Sequence, residues 1–384
     1  MKNIAIVVVA YNRVTSLNRL LNSLLQADVE DAPLIISIDK SNTDTVERFA
    51  NNFIWPFGEK KVITHDKNLG LRTHILSVGD WLDMYDAIIV LEDDIVVTPG
   101  FYRYAVSAYS YYHKDKNIAG ISLYNYQFNY QTFEPFEALK TEYDVYFMQI
   151  AMSWGQVWMR DSWKQFYEWY KKNCHIQLEN IVDIYCFKDW GEKSWLKYHI
   201  AYCIEQNKYF VYPYFSYSTN CADKGTHIAS NLSVFHTSLK WGGSKYGYKF
   251  PIFPNGVVYD SYNENVSLYK ILNMSSENLV LDLCDNTKRF DGRRYLLTVK
   301  KMNFHIIKKF ALEFRPIELN IIMNNWGEGI YLYDLSLPEK MNKESVTLQT
   351  VLYRYRIHSI LAILHKIGFK SLLASFLHKL HRCF

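Results

Sequence analysis

The 384-residue chain has six cysteines, but none in CxxC or zinc-ligand spacing. That argues against a disulfide framework and a structural zinc and fits a reducing compartment. It lacks an uninterrupted apolar run long enough to cross a bilayer. The run Ile4 to Ala10 is short, follows a single basic residue and leads into Tyr11-Asn12-Arg13 without a small-residue cleavage pattern, so it reads as a first buried strand. Strong charge of either sign is also missing: the net +4 is mild for a nucleic-acid binder, and no nucleic-acid partner is expected. No internal repeat is evident. The Ala10-Tyr-Asn-Arg13 turn after the first strand is not the Gly-rich basic loop a sugar-phosphate nucleotidyltransferase would carry there.

What the chain does have is 49% hydrophobic residues and 16% aromatic ones, with 31 Tyr and 10 Trp. That supports a sizeable core, and Tyr and Trp can also offer sugars an apolar face with a polar tip. The first hundred residues alternate strand and helix: strand 4–9, helix 14–25, strand 34–38, helix 43–52, strand 61–64, helix 71–84 and strand 87–91. Such alternation predicts a doubly wound α/β layer structure. Further on, the pattern predicts helices over 101–112, 160–172 and 189–205, and strands over 117–123 and 209–214. Residues 125–142 and 216–248 read as loops, the second long enough to be functional.

The most informative stretch is Ala87-Ile-Ile-Val-Leu-Glu92-Asp93-Asp94. A buried parallel strand delivers ligand-binding residues at its carboxyl end, and three adjacent carboxylates there need a cation or full solvation. Hard oxygen donors favour Mg2+ or Mn2+, which keep water and substrate phosphates as remaining ligands. Asp39 closes the second strand in the same way.

Together these segments resemble the GT-A glycosyltransferases of the bacterial family-two type. They are also similar to the Golgi N-acetylglucosaminyltransferase that begins complex N-glycans. The resemblance covers roughly residues 1 to 240 and rests on Val7-Val-Val-Ala-Tyr-Asn-Arg13, Ile36-Ser-Ile-Asp39, Val90-Leu-Glu-Asp-Asp94, Phe187-Lys-Asp-Trp190 and, more weakly, Asp223-Lys-Gly-Thr-His227. Lys188 stands where the Golgi family has a second Asp, and the absence of a Golgi anchor favours a bacterial cytoplasmic setting. The resemblance implies a GT-A fold: a Rossmann-like doubly wound mixed sheet, here with a smaller C-terminal region and terminal amphipathic helices. It also implies transfer of a sugar from a nucleotide-diphosphate donor, UDP-linked, to a cell-surface glycan or lipid-linked acceptor, with Mn2+ or Mg2+. A sugar-phosphate nucleotidyltransferase and a catalytically silent carbohydrate-binding protein of the same fold are the alternatives.

On this reading Asp94 takes the metal, which assists departure of the nucleoside diphosphate, with Glu92 and Asp93 toward ribose and the surrounding shell. Asp189 is the expected base on the acceptor hydroxyl, although Glu192 three residues on also makes it a helix N-cap candidate. Asp161 is its rival. Ala10, Tyr11, Arg13 and Asp39 are expected at the donor nucleotide, with Asn68 and Arg72 beside them. Lys224, Gly225, Thr226 and His227 form a plausible clamp on the diphosphate, and Trp154 and Gly155 belong to the acceptor cleft. Three regions are expected: 1–248 catalytic, 249–345 accessory, and 346–384 a tail. No acid follows Glu344, so the tail pairs a basic face with an apolar one, as in helices that lie on an anionic membrane. The enzyme is therefore expected to be peripheral on the inner membrane face.

Overall fold

Strand β1 (Ile4–Ala10) is seven residues with every side chain buried, and a strand without a polar face must be covered on both sides. Parallel strands β2 (Leu34–Ile38) and β4 (Ala87–Glu92) flank it, and β3 (Lys60–Thr64) lies beyond β2. Alternate residues go to opposite faces. Ile4, Ile6 and Val8 pack with Leu17, Leu20, Leu21 and Leu24 of helix α1 (Val14–Leu25), with helix α2 (Thr45–Asn52) and with helix α4 (Phe101–Tyr112). Ala5, Val7 and Val9 pack on the other face with helix α3 (Leu71–Ser77), helix α5 (Arg160–Asn173) and helix α6 (Leu196–Glu205).

The computed structural model describes residues 3–129, 131–132, 134–178, 190–221, 223, 235–242, 247–285, 292–339 and 347–356. The described sheet adds β6 (Ile118–Ser122), β7 (Val145–Met148), β8 (Gln156–Met159), β9 (Tyr209–Pro213) and β11 (Val258–Tyr259), in the order β11-β7-β9-β6-β8-β4-β1-β2-β3. β8 runs antiparallel to both β4 and β6, so the sheet is mixed, as the GT-A expectation requires. Beside it, β5 (Ile95–Val97) pairs with β10 (Ser218–Asn220), which gives the expected 216–248 loop an ordered start.

Two expected helices are shorter than their sequence patterns. The 71–84 helix stops at Ser77 and continues as a 3-10 turn over Val78–Asp83, where a Cβ on Gly79 would meet Trp163 at 2.1 Å. The 189–205 helix starts only at Leu196, after a turn closed by Ser194 N–H on the Gly191 carbonyl. The excess of tyrosine is largely core: Tyr104, Tyr124, Tyr126, Tyr146 and Tyr212 are fully buried.

The chain divides into two compact units, 1–267 and 268–384. The division falls after the expected boundary at 248 because β11 pairs with β7, and Tyr248, Phe250 and Phe253 pack into the first core. The second unit is a four-stranded sheet, β12 (Leu279–Asp282), β13 (Tyr295–Thr298), β15 (Gly329–Pro338) and β14 (Phe304–Ala311), in that spatial order. One face, with Leu281, Leu297, Phe310 and Leu332, makes its core. Helix α7 (Ser267–Ile271) opens the unit, followed by α8 (Leu319–Ile322) and α9 (Leu348–Tyr355), the last capped by the Thr347 hydroxyl on Thr350 N–H. Residues 357–384, most of the expected tail, lie outside the described residues. Arg354, one of the basic residues expected on the tail's membrane-facing side, is buried and donates to the Leu283 carbonyl. No helix among the described residues is long and apolar enough to cross a membrane.

Candidate active site

The register of β1 against β4 sets Val9 opposite Glu92, so the three carboxylates emerge level with the end of β1. The chain there turns through Tyr11 and Asn12 into Arg13, the residue preceding α1. The Arg13 guanidinium forms an ion pair with Asp93 and reaches Asp94 Oδ2 at 3.2 Å. Asp93 is buried and also accepts the Tyr11 backbone N–H. Burial pushes Asp93 up to about 6, with Asp94 adding to the rise and Arg13 opposing it. Glu92 is pushed up to about 8 by burial and then by repulsion from Asp94 and Asp93, with a hydrogen bond from Ser153 holding it back. Among the described residues Arg13 alone forms ion pairs with these acids, and the cluster there remains electrostatically short of positive charge.

The end of β2 is built differently. Asp39 is buried, and its Oδ1 accepts the N–H groups of Lys40 and Leu69, both at 2.8 Å, while Oδ2 accepts Gly70 N–H at 3.0 Å. Its own N–H donates to the Ala10 carbonyl at 3.0 Å. Asn68 completes the staple through Nδ2 on the Lys40 carbonyl at 2.9 Å. Asp39 thus fixes the loop leading to α3 against the ends of β1 and β2, and Gly70 supplies the positive φ of 75° at which α3 starts. Beneath it, buried His74 hydrogen-bonds Ser37 at 2.8 Å, and burial draws His74 down to about 4. Arg72 turns away from the acidic cluster to Tyr198 of α6, with Nη1 donating to its hydroxyl at 3.1 Å.

Because β8 is antiparallel, Gln156 pairs with Val90, which brings Ser153, Trp154 and Gly155 to the acidic end of β4. Gly155 has φ 97°, and a Cβ there would press on Leu123 and Ser218 at 3.1 Å. The Trp154 ring lies against Tyr124 and Phe235 at 4.9 and 4.8 Å, half-buried in an aromatic cluster. The same antiparallel run carries Met159 to the opposite edge, paired with Ala87. Asp161 follows it in the first turn of α5, so the rival base falls at the wrong end of the sheet.

β10 returns the chain to the cluster. Cys221 N–H donates to the Asp94 carbonyl at 2.9 Å, and Asp223 is held by the Ser16 hydroxyl at 2.7 Å and by the Arg19 guanidinium. Although burial works the other way, these bonds keep Asp223 below the usual carboxylate range. Lys224, Gly225, Thr226 and His227 lie outside the described residues, as does Asp189. Glu192 precedes α6 rather than lying in its first turn, since the helix starts at Leu196.

Among the described residues, no group of three or more His, Cys, Asp or Glu is arranged to hold a metal unaided. The oxygen-only donor set and its uncompensated charge fit a hard divalent ion that takes its other ligands from phosphates and water.

Sequence reasoning missed Ser16, Arg19, Ser37 and His74, whereas Ser153 was expected beside Trp154 and Gly155 at the acceptor side. Ser16 and Arg19 lie one turn apart on α1, but Thr15, Asn18, Asn22 and Ser23 are polar too, so no sequence signal singled the pair out.

No curated protein matches the chain at a significant level. Among solved structures, Staphylococcus aureus TarS 1-349 in complex with UDP-GlcNAc is similar at 13% identity and TM-score 0.38, over 61% of this chain and 62% of that one. The mannosyltransferase PcManGT from Pyrobaculum calidifontis in complex with GDP-Man and Mn2+ is similar at 13% identity and TM-score 0.30, over 41% and 45%. GalNAc-T7 with UDP, GalNAc and Mn2+ gives 14%, 0.39, 55% and 42%. The chain therefore spans less than two thirds of each. Residues 5–176 match the family model for glycosyl transferase family 2, and nothing supports the narrower Golgi likeness. The matched segment, somewhat under half of the chain, takes in the acidic strand end, Arg13 and Asp39, and is similar to glycosyl transferase family 2.

Proposed function

We propose that the protein is a divalent-cation-dependent glycosyltransferase that moves a sugar from a nucleoside-diphosphate donor to an acceptor hydroxyl with inversion. The observation that carries this reading is the Glu92-Asp93-Asp94 cluster, held at a parallel strand's carboxyl end with Arg13 as its ion-pair partner among the described residues. Asp94, the more exposed of the Arg13 partners, would hold Mn2+ or Mg2+ with the donor diphosphate, and Glu92 would support it. The ion would supply charge neutralisation to the departing diphosphate. Arg13 is then shared between the acids and the donor. Ala10, Tyr11, Asp39 and the 68–70 loop line the nucleotide side, with UDP-sugars as the first donors to test.

Asp189 is the base in this reading. It takes the acceptor hydroxyl proton while that oxygen bonds to the anomeric carbon and the carbon–oxygen bond to the diphosphate breaks. Lys224, Gly225, Thr226 and His227 would close on the diphosphate, helped by the Asp223 anchor on α1. Trp154 and Gly155 border the acceptor side. The acceptor is a glycan or a lipid-linked saccharide, reached with the basic tail on the inner membrane face. The test is a nucleotide-sugar screen with Mn2+. Metal-dependent release of nucleoside diphosphate, lost in Asp189→Asn with donor binding retained, supports the assignment. Near-normal turnover of that variant removes Asp189 from the base role.

A further inference from the structure

The second unit ends in a rigid apolar tip. Asn320 is fully buried and uses its whole side chain: Oδ1 accepts the N–H groups of Glu313 and Phe314, both at 2.9 Å, and Nδ2 donates to the carbonyls of Phe314 and Ile317 at 2.9 and 3.0 Å. Asn325 N–H closes onto the Asn320 carbonyl at 2.8 Å, and Ala311 N–H onto the Asn325 carbonyl at 2.9 Å. The loop is thus tied down from both sides, with Leu312 and Ile321 in the core beneath it. Above that core, Trp326 is 82% exposed, Met323 63%, Phe314 38% and Ile322 37%. Four large apolar side chains displayed together on a pre-formed loop mark an interaction surface.

We propose that this tip inserts into an anionic lipid surface. Residues 268–384 carry 18 Lys and Arg against 10 Asp and Glu, a net +8 in a chain whose total is +4, so the positive excess lies wholly in the unit that bears the tip. The two exposed acids at the tip are engaged within the protein. Glu328 binds Lys309 at 2.7 Å and the Tyr331 hydroxyl at 2.9 Å, and Glu313 accepts from Asn325 Nδ2 at 2.9 Å. The tail starts at the same place: the Tyr353 hydroxyl of α9 donates to the Phe314 carbonyl, and Arg315 donates to the Tyr353 carbonyl. After Arg356 the sequence brings Lys366, Lys370, Lys379 and Arg382 without an acid. Trp and other apolar anchors enter the interface while basic residues meet the headgroups. The inference rests on the membrane reading of the tail and adds a second, structurally defined contact.

The test is flotation of the full chain with vesicles of phosphatidylcholine alone and of equimolar phosphatidylcholine and phosphatidylglycerol. Wild type should float with the mixed vesicles only. Met323→Ser/Trp326→Ser should lower partitioning about tenfold or more, with unchanged melting temperature and unchanged turnover of soluble donor. Equal flotation of wild type and this variant overturns the proposal. So does wild type that binds neither vesicle, or a tip that drives self-association in sedimentation velocity. A full-chain variant with Lys366, Lys370, Lys379 and Arg382 all changed to Gln separates the two contacts: if it alone loses binding, the tail reading stands and the tip falls.

Discussion

Glu92→Gln tests whether the acidic cluster is an uncompensated load on the fold. In the unfolded chain Glu92 titrates near 4.5, and in the folded protein near 8. A raised carboxyl pKa means that the native state holds its proton while the unfolded state has lost it. Stability is therefore unaffected below about 4.5, falls as pH rises and levels off above about 8. At about 1.4 kcal/mol per pH unit the full shift would cost about 5 kcal/mol. Glu92 is partly open to water and shares its titration with Asp93 and Asp94, so about 2 kcal/mol is expected. Urea melts in EDTA should show Glu92→Gln more stable than wild type by this amount at pH 8.5, with the gap closing by pH 4.5. Mn2+ should narrow the gap at pH 8.5 by stabilising wild type. A gap independent of pH, or a variant less stable at pH 8.5, would refute the reasoning.

Asp39→Asn places an amide N–H2 against the Gly70 or Leu69 N–H and should cost about 1–3 kcal/mol in a denaturant melt, together with weaker donor binding by calorimetry. Gly79→Ala drives a methyl into Trp163, which cannot yield because it stacks on Trp158 at 3.7 Å. A loss of about 1–3 kcal/mol is expected, and an unchanged melting curve would show that the helix end repacks freely.

The fold was legible where apolar runs had the right length and clear punctuation. Strands 34–38 and 87–91, the latter one residue longer in the structure, and helices 14–25 and 101–112 follow directly from periodicity. The reversal of β8 was not legible, because Gln156–Met159 has no pattern that distinguishes antiparallel from parallel. That reversal decides the site: it moves Trp154 to the acidic edge and Asp161 away from it. The late start of α6 at Leu196 was hidden because the Asp189 and Glu192 spacing in the sequence reads as a capping box. The carboxylate triplet announced itself because its charge has no local remedy. The Asp39 staple to Leu69 and Gly70, thirty residues away, is made by backbone amides that any sequence would offer.

Turnover of a nucleotide-sugar donor by wild type and Asp94→Ala, each measured with Mn2+ and again in EDTA, tests the central claim most directly. The account predicts Mn2+-dependent release of nucleoside diphosphate by wild type, abolished by EDTA and reduced by at least about a hundredfold in Asp94→Ala. Turnover of Asp94→Ala at the wild-type rate, or wild-type turnover undiminished in EDTA, would contradict it.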